Sequence, residues 1–207
     1  MAERMRQGIV WAGIPLVLAS TTLPYSDGLT DYMIPKTAAI YAGCGLMLSL
    51  LLMGWILDRR LVWATFRVQL PMVVFGCVAL LSLLMAQNRA LSLEVLALQA
   101  SLLVFCLVVA NSVRGVAEIT GILWFVSLVG HGVAFLGLLQ YFGVHLIPLP
   151  AAYGDHPVST LGNPNFVAHY LCMVIPVATV LLLHHRSFWS RLWLSSTLLI
   201  ASFHLLI

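Results

Sequence analysis

The stretch STLGNPNFVAHYLCMVIPVATVLLL, residues 159–183, joins a polar helix-start signal directly to an apolar run. Pro164 suits the first position of a helix because its φ is fixed and it has no N–H to donate. Asn163 can then cap the helix, since its side-chain oxygen can accept an N–H of the first turn. Residues 166–183 contain no Asp, Glu, Lys or Arg. The stretch therefore predicts a membrane-spanning helix with a well-formed start.

The whole chain shares this apolar character. Of its 207 residues, 61% are hydrophobic and only 8% are charged, and the mean hydropathy is +1.02. A soluble domain has about a quarter of its residues charged. The chain is therefore predicted to be an integral membrane protein. Its basic residues are scattered along the chain, so no nucleic-acid partner is predicted; membrane lipids are the expected surroundings.

Seven apolar runs follow one another along the chain: residues 8–23, 37–57, 69–86, 93–113, 117–142, 166–183 and 192–207. They predict an all-α, polytopic transmembrane helix bundle of about seven spans, forming one transmembrane domain over residues 1–207. The last run ends at Ile207 without a polar flank, which would leave helix carbonyls unpaired in hydrocarbon. We expect these residues to be the N-terminal part of a longer protein; the alternative is a short native tail that just reaches the outer surface.

Lys and Arg are distributed unevenly between the two sides of these runs. One side carries eight of them, including those near the N-terminus, and the other carries only Lys36 and Arg89. Cytoplasmic loops are enriched in Lys and Arg. The asymmetry predicts a cytoplasmic N-terminus and places the loop of residues 143–164 on the outer face.

The outer loop of residues 143–164 is the longest connection and has its own polar chemistry. Loops of this kind are more often functional than short connectors are. Asp155 and His156 within it could act as an acid–base pair, although adjacent residues rarely point at one target and a solvated loop is the simpler interpretation.

The Asn163-Pro164-Asn165 element has two interpretations that its residues alone leave open. In the first, it only starts a helix at the outer face, with Gly162 allowing the chain to turn sharply. In the second, the same helix start also binds a ligand. A helix N-terminus presents free N–H groups and a partial positive charge that suit a lipid phosphate, and asparagine amides can bind sugar hydroxyls.

Residues 159–176, STLGNPNFVAHYLCMVIP, resemble the signature of the O-antigen ligase and polymerase family of bacterial inner-membrane proteins. The family has a Gly-Asn-Pro-Asn or Gly-Asn-x-Asn element, then a small residue, then a Leu-rich span that contains proline. The matching positions here are Gly162, Asn163, Pro164, Asn165, Ala168, Leu171 and Pro176. Outside these roughly twenty residues, the likeness is limited to hydropathy and the order of the spans.

The resemblance implies a multi-pass inner-membrane enzyme that takes a glycan from an undecaprenyl-diphosphate carrier at the periplasmic face. The acceptor would be a lipid A-core sugar, another saccharide repeat unit or a protein hydroxyl. The family's essential Arg and His residues lie largely in a downstream periplasmic loop, so the catalytic residues are expected beyond residue 207. The fragment alone would then be inactive. The resemblance implies no metal and no cofactor.

Five residues are candidates for substrate binding: Gly162, Asn163, Asn165, His169 and Arg89. An ionisable residue such as His169 within a span indicates function by default, but a neutral histidine bonded to a backbone carbonyl is a common alternative. The same two interpretations apply to His131 in the preceding run. Arg89 could offer its planar fork to a diphosphate, or could pair with Glu94 or with lipid headgroups.

Two other functions stay open. The first is a transporter of bicarbonate or another small anion, although the inverted repeat typical of transporters is not visible in the sequence. The second is a non-catalytic scaffold in a cell-envelope assembly. Binding of a polyprenyl-diphosphate lipid would separate the transferase from both.

Overall fold

The computed structural model describes residues 1–23, 33–59, 63–64, 69–144, 146–147, 149 and 156–207. These residues are 85% helical and contain no strand, which confirms the predicted all-α class. The α-helices are α1 (Ala2–Gly8), α2 (Ile14–Thr22), α3 (Met33–Asp58), α4 (Gln69–Ser82), α5 (Arg89–Ser112), α6 (Val116–Tyr141), α7 (Pro164–His184) and α8 (Phe188–His204). A π-helical turn, Ile9–Gly13, joins α1 to α2, and short 3₁₀ turns occupy Leu83–Met85 and Ser159–Leu161.

Four of the described helices are long and apolar enough to cross a membrane: α3, α5, α6 and α7. Each begins and ends within four residues of a predicted apolar run. The other three predicted runs correspond to shorter helical segments. Residues 8–23 fall on the π-helical turn and α2, residues 69–86 on α4 and the turn after it, and residues 192–207 on α8. The described chain is thus an all-α protein with four candidate spans.

The chain forms two compact units. The first comprises Met1–Val17 and Thr37–Gly115, and the second comprises Leu18–Lys36 and Val116–Ile207. The predicted helix-start element belongs to the second unit. Arg89, the first residue of α5, belongs to the first unit.

In the first unit, Arg6 ties the N-terminal helix to the end of α5. Its Nη1 donates to the Ser112 carbonyl at 2.6 Å, which satisfies a carbonyl that has no partner inside its own helix. The same guanidinium hydrogen-bonds the carboxylate of Glu3. This hydrogen bond holds the pKa of the Glu3 carboxyl below its usual value. Any stability that this exposed pair adds is therefore fully present above the pKa that Glu3 has in the unfolded chain. It is lost as the pH falls through the lower pKa of Glu3 in the folded chain.

In the second unit, α6, α7 and α8 pack against one another around an apolar core. The buried side chains of one cluster are Val129, Val133, Ala134, Val167, Leu171 and Ala201, and those of a second cluster are Ala178, Leu181 and Leu194. The helix backbones approach closely at Gly130 of α6, where an added Cβ would lie 2.5 Å from both methyl carbons of Val174. Small residues permit such close packing inside membranes. This packing holds α7 against α6 and α8.

Replacing Gly130 by alanine is expected to lower the free energy of unfolding by about 1–3 kcal/mol, because the new methyl overlaps Val174 and forces α6 and α7 apart. Unfolding in mixed micelles of dodecylmaltoside and SDS measures this. Gly132→Ala, on the same helix, is the matched control, since a Cβ there meets nothing within 4 Å. Equal stability of the two variants would contradict the close approach.

Candidate functional site

The helix start at Asn163 has the predicted cap. Asn163 is extended, with φ −151° and ψ 131°, and Pro164 follows as the first helical residue of α7. The side-chain Oδ1 of Asn163 accepts from the backbone N–H of Asn165 at 2.9 Å. Gly162 has a φ of +74°, a left-handed conformation that glycine adopts without steric cost. The structure therefore confirms the cap and the turn, while a ligand role for these residues stays a prediction.

The polar side chains beyond the cap face outward. Asn165 and His169 are both exposed, and Asn163 is half-buried. Asn165 and His169 are four residues apart on α7, so they lie on one face of the helix. Of the five predicted binding residues, these two and the adjoining Gly162 and Asn163 are brought together at one end of α7. Arg89 is exposed and lies in the other unit.

The segment before the helix start is buried and held by side chains. We call residues 157–160 the strap; all four are buried. The amide oxygen of Gln140 accepts from the backbone N–H groups of Val158 and Ser159, both at 2.9 Å. The Ser159 hydroxyl donates to the Val133 carbonyl at 2.7 Å. These bonds fasten the strap to the C-terminal half of α6.

The strap is also fastened at Thr160 by residues from the N-terminal part of the second unit. The Thr160 hydroxyl donates to the Thr22 carbonyl, at the end of α2, at 2.7 Å. The Lys36 ammonium donates to the Thr160 carbonyl at 2.8 Å. Lys36, which the charge count treats as a basic flank at the membrane surface, is instead buried.

A cavity of about 280 Å³ opens beside the helix start. Pro164, Asn165 and Ala168 of α7 form one side of it, and Pro157 of the strap adjoins them. The rest of the lining comes from His156 and from the last four residues of the chain, 204–207. The cavity therefore adjoins the start of α7 and the exposed side-chain amide of Asn165, where a phosphate or sugar group would meet a hydrogen-bond donor. The backbone N–H groups of Asn165, Phe166 and Val167 already donate to Asn163.

Of the histidines near α6 and α8, His131 and His156 have hydrogen-bond partners, whereas the buried Nε2 of His204 has none among the described residues. The ring of His131 stacks on Trp193 with 4.1 Å between centroids, and its Nδ1 lies 3.0 Å from the Thr197 hydroxyl. His156 Nδ1 lies 2.6 Å from the Ile207 carbonyl oxygen. His131 thus fits the structural interpretation. Asp155, the other member of the proposed acid–base pair, lies outside the described residues.

Sequence reasoning missed the residues that hold the helix start in place. Gln140, Ser159, Thr160 and Lys36 are buried polar residues with long-range hydrogen bonds. One signal for two of them was available, because Gln140 and Lys36 are polar residues within or next to long apolar runs. Buried polar groups of this kind need partners, so their presence predicts an internal hydrogen-bond network.

The chain matches no protein-family model, no curated protein and no solved structure. The resemblance of residues 159–176 to a glycan-transferase signature stays a hypothesis. The arguments for a site here are the capped helix start, its exposed asparagine and the cavity beside it.

Proposed function

We propose that this chain binds an undecaprenyl-diphosphate-linked glycan at the start of α7, as part of an O-antigen ligase or polymerase-like glycan transferase. The acceptor would be a lipid A-core sugar, another saccharide or a protein hydroxyl. The observation that carries the proposal is the cavity of about 280 Å³ beside a capped helix start with an exposed amide at Asn165. The helix end would attract the diphosphate, and the amide would bind a phosphate or sugar oxygen.

We also propose the finer membrane arrangement: about seven spans in the bacterial inner membrane, with the N-terminus in the cytoplasm. Four long apolar helices and three shorter helical segments support that number. The excess of Lys and Arg on the N-terminal side supports the orientation. In this arrangement the start of α7 faces the periplasm, where a lipid-linked glycan is presented.

The test measures binding of undecaprenyl diphosphate to the chain in nanodiscs. We expect the wild type to bind it at least about tenfold more tightly than undecaprenol, since the diphosphate supplies charge-assisted hydrogen bonds. Asn165→Ala should lower the affinity about tenfold while changing the unfolding free energy by less than about 0.5 kcal/mol, because Asn165 is exposed. His184→Ala, at the opposite end of α7, is the matched control and should bind normally.

Three results would contradict the proposal. The first is no preference for the diphosphate lipid over undecaprenol. The second is normal binding by Asn165→Ala. The third is that free pyrophosphate and bicarbonate bind as tightly as the diphosphate lipid does. That result would favour small-anion transport instead.

A further inference from the structure

Lys36 is a cation placed inside the fold near the start of an apolar helix. Its residue surface is only 4% exposed, and its ammonium donates to the Thr160 carbonyl at 2.8 Å. Ionisable residues within membrane helices are costly and indicate function by default. We infer that Lys36 is a positioning residue: by holding Thr160, it fixes the Asn163-Pro164-Asn165 helix start for its ligand. Its effect on ligand binding rests on the proposed function.

The chain between Lys36's partner and the helix start is short and closed by hydrogen bonds. Only Leu161 and Gly162 separate Thr160 from Asn163. The backbone N–H groups of these two residues donate to the Val158 carbonyl, at 3.2 and 3.1 Å. Few backbone torsions are therefore free to absorb a displacement of Thr160, and such a displacement would be passed on to Asn163.

Thr160 is held at both its main chain and its side chain. Lys36 donates to its carbonyl, while its hydroxyl donates to the Thr22 carbonyl. Gln140 holds the two preceding residues from α6. The strap is thus fastened to two different parts of the second unit, and Lys36 contributes the charged bond.

A charged donor makes this fastening stronger than a neutral one would. Hydrogen bonds from an ammonium are roughly twice as strong as those between neutral groups. Without Lys36, the buried Thr160 carbonyl would lose this donor, and the strap would open more often. Binding would then weaken because the helix start must be ordered before it can bind.

The experiment compares the wild type with Lys36→Met, Lys36→Arg and Thr160→Val, each as the full chain in nanodiscs. One measurement is hydrogen–deuterium exchange of the backbone amides of residues 158–162. The other is the affinity for undecaprenyl diphosphate, taken well below the unfolding temperature of each variant. Thr160→Val keeps the charge at position 36 but removes the bond to Thr22. It therefore tests the placement of Thr160 without changing the charge of Lys36.

We expect Lys36→Met to accelerate amide exchange across residues 158–160 about tenfold and to weaken lipid binding about tenfold. Lys36→Arg, which keeps a cationic donor, should return both values to within about threefold of the wild type. Thr160→Val should shift both values in the same direction as Lys36→Met. These results together would support a positioning role. Each variant is still folded at the temperature used, so a general loss of folding would not explain weaker binding.

Two results would overturn the inference. The first is unchanged exchange in Lys36→Met. The second is weakened binding in Lys36→Met beside normal binding in Thr160→Val, which would assign Lys36 a direct electrostatic role. If the wild type itself fails to bind the lipid, the proposed function is wrong, and the exchange data alone then decide whether Lys36 holds the helix start. If Lys36→Met does not fold, Lys36→Arg and Thr160→Val decide the question by the same two measurements.

Discussion

Replacing Gln140 by leucine is expected to lower the free energy of unfolding by about 2–4 kcal/mol. The amide oxygen of Gln140 is the acceptor for two buried backbone N–H groups, those of Val158 and Ser159. Each buried donor left without a partner costs about 1–3 kcal/mol. Unfolding in mixed micelles of dodecylmaltoside and SDS measures the loss, and faster amide exchange at Val158 and Ser159 locates it.

The direction of this effect is opposite to what hydropathy predicts. Leucine makes α6 more apolar, so a helix that depended only on burial in lipid would gain from the change. Gln140→Glu keeps an oxygen acceptor in place and is expected to lose less than half as much. Tyr141→Leu, at the exposed neighbouring position, is the control for a general effect at the end of α6. Equal or higher stability of Gln140→Leu would show that the strap does not depend on this residue.

Much of the helical structure can be predicted from the sequence because membrane helices depend on local composition. The run predicted at residues 117–142 corresponds to Val116–Tyr141, and the run predicted at 166–183 corresponds to Pro164–His184. The cap at Asn163 is predictable for the same reason, since the cap, the proline and the first turn are neighbours in sequence.

The contacts that hold the helix start could not be predicted in this way. Lys36 and Thr160 are 124 residues apart, and Thr22 and Thr160 are 138 residues apart. A sliding window or a charge count contains no information about such pairs. The charge count therefore treated Lys36 as a surface flank, whereas the fold buries it. Long-range hydrogen bonds of this kind follow from how helices pack, which the apolar pattern does not specify.

In the candidate site, too, the sequence predicts neighbours along the chain but not long-range contacts. Gly162, Asn163, Asn165 and His169 are brought together because they are adjacent along one helix start. Arg89 was proposed to join them only because its side of the membrane and its chemistry suit a diphosphate. The structure places Arg89 at the start of α5, in the other unit. Its role in binding stays a prediction.

Replacing Asn163 by aspartate is expected to preserve the helix cap and to weaken ligand binding. Aspartate caps helices as well as asparagine does, and its charge interacts favourably with the helix N-terminus. The free energy of unfolding should therefore stay within about 0.5 kcal/mol of the wild type, or rise. The affinity for undecaprenyl diphosphate should fall at least about tenfold, because a carboxylate at the helix start repels the diphosphate.

Ser187→Asp is the matched control for the added charge. Ser187 stands at the N-cap of α8, in the same unit as Asn163 but next to the other end of α7. The variant should bind the lipid normally, and a loss of binding there would point to net charge rather than to the helix start. Asn163→Ala completes the set, since it should lose about 1 kcal/mol of stability together with the cap. If Asn163→Asp bound the lipid as tightly as the wild type, Asn163-Pro164-Asn165 would be a helix start only, and the ligand would have to bind elsewhere.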